Sequence, residues 1–153
     1  MASLNFYGVD EFELSLKDIA AMSEDEKKTI IQSGAEVVVN ALKSVLENLE
    51  LIDSKQLIDN VSFKFKLRDG EPFAQISSYG KRKKPYTGKR KKTKGKTHGS
   101  YQGTNTEVLY LLEFGTPRMQ PWHPVGETED VCIDDVTAAM AAAFDEYLKS
   151  KNL

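Results

Sequence analysis

A chain of 153 residues fits one domain with a single core, and its formal charge of −2 comes from 21 Lys and Arg against 23 Asp and Glu. That balance averages two unlike parts: Lys81, Arg82, Lys83, Lys84, Lys89, Arg90, Lys91, Lys92, Lys94 and Lys96 fall within 16 residues that hold no acid, and the remainder carries 11 basic and 23 acidic residues, a net −12. No run approaches the roughly 18 apolar residues of a membrane span, Cys132 is the single cysteine and excludes an intrachain disulfide or a thiolate zinc site, and a hydrophobic fraction of 40% suffices for a folded domain.

The first residues, Met1-Ala2-Ser3-Leu4-Asn5, have neither the basic start nor the apolar stretch of a signal peptide, so a soluble protein in the compartment where it is made is expected. The sequon Asn60-Val61-Ser62 then reads as chance. Leu14, Leu16, Ile19 and Ala20 suit a short helix between Ser15 and Met22. Ser23-Glu24-Asp25-Glu26 is a capping box, and Ile31, Ala35, Val38, Leu42, Val45 and Leu49 follow at alternating steps of four and three, which predicts one long amphipathic helix over 24–50. Gly34 inside it costs about 1 kcal/mol relative to alanine, so it reports either close packing or plain tolerance.

Past the short polar link Asp53-Ser54-Lys55-Gln56-Leu57 the period changes. Val61, Phe63, Phe65 and Leu67 alternate with Ser62, Lys64, Lys66 and Arg68, Asp69-Gly70 supplies a turn, and Phe73 to Tyr79 reads as a return strand. A β-hairpin over 61–79 is predicted. Residues 80–105 are nearly without aliphatic side chains and read as a long basic loop, functional or disordered. Order resumes at the apolar run Glu107 to Leu112, which ends at Gly115. Pro117 to Pro124, with three prolines, demands an extended connection. A second helix is predicted over Thr128 to Lys149, with Cys132 or Ile133, Val136, Met140, Phe144, Tyr147 and Leu148 on one side and acids crowding its start. The predicted class is α+β: a long N-terminal helix, an antiparallel sheet with a hairpin and a long basic loop, and a C-terminal helix packed on the sheet.

Signs of catalysis are few. Gly95-Lys96-Thr97 resembles the end of a phosphate-binding loop, but six residues separate Gly88 from Gly95 where four are needed, and no strand leads in. His98 and His123 lack a second ligand at metal spacing, and Glu113 lacks a second carboxylate, so no enzyme, cofactor or metal is expected. The basic segment, with Tyr86 and Tyr101 nearby, has three readings: a solvated loop, a nucleic-acid contact that releases counterions, or a dock for acidic protein surface. Trp122, stiffened by flanking prolines, is an apolar projection of a kind more often found in cores than at interfaces.

The stretch Tyr110-Leu111-Leu112-Glu113-Phe114-Gly115-Thr116, followed by Pro121-Trp122-His123-Pro124, resembles the signature of a tail-component family of long-tailed bacteriophages: a tyrosine, a Glu-x-Gly-Thr element, then a proline and aromatic element leading into a C-terminal helix. Here a single residue, His123, separates Trp122 from Pro124, and Val125 replaces a usually small residue. The order of elements agrees over most of the chain. The resemblance implies a virion protein of the neck, made in the host cytoplasm, that completes or terminates the tail and joins it to the head. Its partners would be copies of itself in a ring, commonly of six, together with head-completion and tail-tube proteins. Its motif residues Tyr110, Glu113, Phe114, Gly115, Thr116, Pro121, Trp122 and Pro124 would carry assembly, and the cations from Lys81 to Lys96 would meet DNA or an acidic neighbour, with no membrane involved. From the residues alone, a small nucleic-acid-binding accessory protein using 81–96 is the alternative.

Overall fold

The computed structural model describes residues 3–7, 11–15, 22–50, 55–81 and 103–151, the first two segments by backbone alone. In chain order the elements are β1 (Ser3–Tyr7), β2 (Glu11–Ser15), α1 (Glu24–Asn48), α2 (Lys55–Asp59), β3 (Val61–Arg68), β4 (Glu71–Ser78), α3 (Asn105–Phe114) and α4 (Pro124–Ser150). The class is α+β, with the long N-terminal helix, the antiparallel hairpin and the C-terminal helix in one packed body.

Helix α1 begins where the capping box places it: Glu26 N donates to Ser23 Oγ at 3.3 Å and Ser23 N donates to Glu26 Oε2 at 2.8 Å. Its apolar stripe, Ile31, Ala35, Val38, Leu42 and Leu46, is buried between α4 and the β3–β4 hairpin. Gly34 resolves in favour of close packing. A Cβ there would lie 2.9 Å from Met140 Cγ and 3.3 Å from Val136 Cγ1, so its lack of a side chain lets α4 cross close to α1. Ser33 Oγ spans the same contact to the Ala139 carbonyl at 3.3 Å, and Lys151 Nζ reaches Glu26 Oε1 at 2.9 Å, tying the end of α4 to the start of α1. Of the two candidates on α4, Cys132 faces inward and Ile133 is exposed.

The predicted hairpin is present. Arg68 pairs with Glu71 across Asp69-Gly70, whose positive φ values of 53° and 83° give the two-residue turn that matches strand twist. Ala74, Ile76 and Ser78 of β4 are buried beside Val61, while Ser62, Lys64, Lys66 and Arg68 line the opposite, exposed face of β3.

Several elements differ from expectation: α2 (Lys55–Asp59) is a helix where a polar link was read, and the apolar run after Glu107 belongs to a helix, α3 (Asn105–Phe114). Ser15 closes β2, so it does not open a helix, and residues 16–21 of that expected helix lie outside the described set. The β1–β2 hairpin, paired antiparallel from Ser3↔Ser15 to Tyr7↔Glu11, was not anticipated, although Glu11-Phe12-Glu13-Leu14 carries a period-2 pattern. Finally, α4 starts at Pro124 rather than Thr128. Proline suits the first helical turn because its missing N–H has no intrahelical partner there.

Candidate functional site

The residues from Thr104 to Val125 form one continuous device. Thr104-x-x-Glu107 is a second capping box: Glu107 N donates to Thr104 Oγ1 at 3.2 Å and Thr104 N donates to Glu107 Oε2 at 2.9 Å. This turns the apolar run into helix α3. Leu109 and Leu112 are buried, while Tyr110, Leu111 and Phe114 are left 53, 43 and 44% exposed. The rings of Tyr110 and Phe114, one turn apart, sit 4.6 Å from each other.

Gly115 ends the helix. At φ 73° and ψ −170° it adopts a conformation in which a Cβ would stand 2.6 Å from the Met119 carbonyl oxygen and 2.9 Å from Pro121 N, so only glycine fits. The chain reverses in a tight turn at Pro117-Arg118: Thr116 N donates to the Met119 carbonyl at 2.9 Å and Met119 N returns the bond at 3.1 Å. Trp122 N then donates to the Leu112 carbonyl at 2.8 Å, which lays the returning strand beside the end of α3.

Glu113 explains why the reversal matters. Its side chain is buried, and its Oε2 accepts from Val125 N at 2.7 Å. His123, at the N-cap position of α4, is left-handed (φ 53°, ψ 45°) and provides no side-chain cap, and Pro124 has no N–H to give. The cap of α4 is therefore delivered by a carboxylate from α3, twelve residues upstream, placed where the helix dipole favours negative charge. His123 Nδ1 stands 3.6 Å from the other carboxylate oxygen.

Trp122 is 47% exposed rather than core. Pro121 is exposed and Pro124 buried at the start of α4, so the expected motif residues divide into an inner latch (Glu113, Gly115, Pro124) and an outward apolar surface (Tyr110, Phe114, Trp122, with Leu111 added). Thr116 is exposed and orders the turn by accepting from Arg118 N at 3.2 Å.

Of the cationic segment, Lys81 alone is described; Arg82, Lys83, Lys84, Lys89, Arg90, Lys91, Lys92, Lys94 and Lys96 lie outside the described residues, as does Gly95-Lys96-Thr97. Its two ends are clamped together. Lys81 bridges Thr104, Asn105 N donates to the Gly80 carbonyl at 3.0 Å, Asn105 Nδ2 to the Tyr79 carbonyl at 3.0 Å, and Gln56 Nε2 to the Lys81 carbonyl at 3.2 Å. The segment thus leaves and re-enters the body at one point, beside the N-terminus of α3.

Among the described residues no three His, Cys, Asp or Glu side chains gather as a metal set, and no helix is long and apolar enough to cross a membrane. Burial raises the Cys132 thiol above its ordinary value, helped by Asp135 and Glu129. No family model, no curated protein and no solved structure matches the chain.

Proposed function

We propose that the protein is a structural subunit of the neck of a long-tailed phage, completing the tail and joining it to the head as one member of an oligomeric ring around the DNA channel, and that it works by assembly rather than catalysis. The observation that carries this reading is the Tyr110–Pro124 element. The same residues that resemble the tail-component signature form a latch, with Glu113 buried and Gly115 in a conformation that only glycine fits, and it holds Tyr110, Leu111, Phe114 and Trp122 outward. Exposed aromatic and aliphatic side chains on a preformed frame suit subunit contact, because little conformational entropy is lost on docking. Electron microscopy of particles made without this protein tests the reading: heads and tails that fail to join, or tails of aberrant length, are expected. Normal infectious particles would refute it.

A second reading rests on the ten cations from Lys81 to Lys96, nine of them between the clamped points Lys81 and Thr104, whose charge suits a nucleic-acid backbone. It predicts binding to duplex or single strands whose log affinity falls linearly with log salt and which disappears when 82–102 is replaced by a short linker. Absence of binding at about 50 mM salt would remove it.

A further inference from the structure

Among the described residues, strand β3 has one unpaired edge. Tyr79 N donates to the Asn60 carbonyl at 3.0 Å, so residues 60 and 79 form a hydrogen-bonded pair. Antiparallel ladders alternate bonded and non-bonded pairs. With the register Val61↔Ser78 through Arg68↔Glu71, the bonded positions on β3 are Ser62, Lys64, Lys66 and Arg68. The N–H and C=O groups of Val61, Phe63, Phe65 and Leu67 therefore point away from β4. Pro72, opposite Leu67, agrees with this phase, since its missing N–H falls on the far edge of β4. Among the described residues no strand and no backbone hydrogen bond covers the outer edge of β3.

The side chains along this edge have a definite character. Lys64, Lys66 and Arg68 are exposed on one face; on the other, Phe63 and Phe65 are only half-buried and Leu67 is 60% exposed. An eight-residue edge of this kind is a template for strand addition. Pairing of β3 with β3 of a second copy would set cations against cations across the new ladder, which disfavours it. A strand whose residues alternate acidic and apolar meets both faces at once: carboxylates beside Lys64, Lys66 and Arg68, apolar side chains over Phe63, Phe65 and Leu67.

We propose that the outer edge of β3 is a strand-addition site for an extended segment of another polypeptide in which acidic and apolar residues alternate. The site is separate from the Tyr110–Pro124 surface and does not depend on the neck reading. The test measures, by fluorescence anisotropy on the full chain, binding of the peptide Glu-Phe-Glu-Leu-Glu-Leu and of its counterpart with lysine at the three acidic positions. The acidic peptide should bind at least about tenfold tighter. Leu67→Pro deletes an outward N–H without touching the ladder to β4 and should weaken binding several-fold, and Lys66→Glu, which takes this face from +3 to +1, should shrink the preference for the acidic peptide. N-methylation of alternate peptide residues, in one of the two possible phases, should abolish binding with the protein left untouched. Equal binding of both peptides overturns the proposal. So does acidic-peptide binding that withstands both Leu67→Pro and N-methylation, which would assign it to charge attraction elsewhere, and so does an oligonucleotide that occupies the site with the same insensitivity.

Discussion

Replacing Glu113 separates the acceptor from the charge in the cap that joins α3 to α4. A hydrogen bond to a charged acceptor contributes about 1.5–3 kcal/mol, and loss of an N-cap costs about 0.5–2 kcal/mol. Both figures describe the one contact from Val125 N to Glu113 Oε2 and do not add, while release of a buried carboxylate from its desolvation subtracts. Glu113→Ala should therefore destabilise by about 2 kcal/mol. Glu113→Gln keeps a carbonyl oxygen at the same reach and loses the charge acting on the helix dipole, for about 0.5–1 kcal/mol. Urea unfolding followed by far-UV circular dichroism gives both numbers, with unchanged slopes as the check on two-state behaviour. Trp122, the chain's one tryptophan, lies three residues before Val125 and reports local release by its emission. Equal losses for Gln and Ala would show that charge, not acceptor geometry, holds the junction. No loss for Ala would refute the cap altogether.

Gly115→Ala should cost at least about 2 kcal/mol, because a strained conformation adds to a Cβ 2.6 Å from the Met119 carbonyl; a neutral result by thermal unfolding would contradict the geometry. Gly34→Val should cost about 1–3 kcal/mol by overpacking against Met140, and Met140→Ala should recover part of it in a double-mutant cycle, whereas strict additivity would deny the contact. The Glu26 carboxylate is held below its ordinary value by the Ser23 backbone N–H, then by the Lys151 ammonium and the Ser23 hydroxyl. A lowered folded value means that the stabilisation is present above the unfolded carboxylate value and is lost as pH falls through the folded one. The stability difference between the native chain and Glu26→Gln, followed by thermal unfolding across pH, should therefore shrink on acidification; growth at low pH would reverse the sign.

What could be read in advance follows the range of each interaction. Helix α1 and the β3–β4 hairpin were legible because their determinants are local: Ser23 and Glu26 lie three residues apart, the apolar stripe repeats within a turn, and Asp69-Gly70 is its own turn signal. The same capping logic applied to Thr104 and Glu107 identifies α3, a signal present in the sequence and passed over. The start of α4 was not legible, since a window around Pro124 shows only prolines and a left-handed histidine, and the group that completes the turn is Glu113. Exposure of Trp122 was equally hidden. It depends on where the returning strand is pinned by the bond from Trp122 N to the Leu112 carbonyl, a contact between segments that no periodicity encodes.

The clamp at Gly80, Lys81, Thr104 and Asn105 makes the fold a carrier with an insertion port. For a segment tethered at both ends, the closure entropy grows only with the logarithm of its length, about 0.6 kcal/mol for each doubling. By that scaling, replacing residues 82–102 with a short linker should leave the thermal midpoint of the body nearly unchanged, and a loss of cooperative unfolding would show that the α1–α4 pairing and the Glu113 latch depend on them.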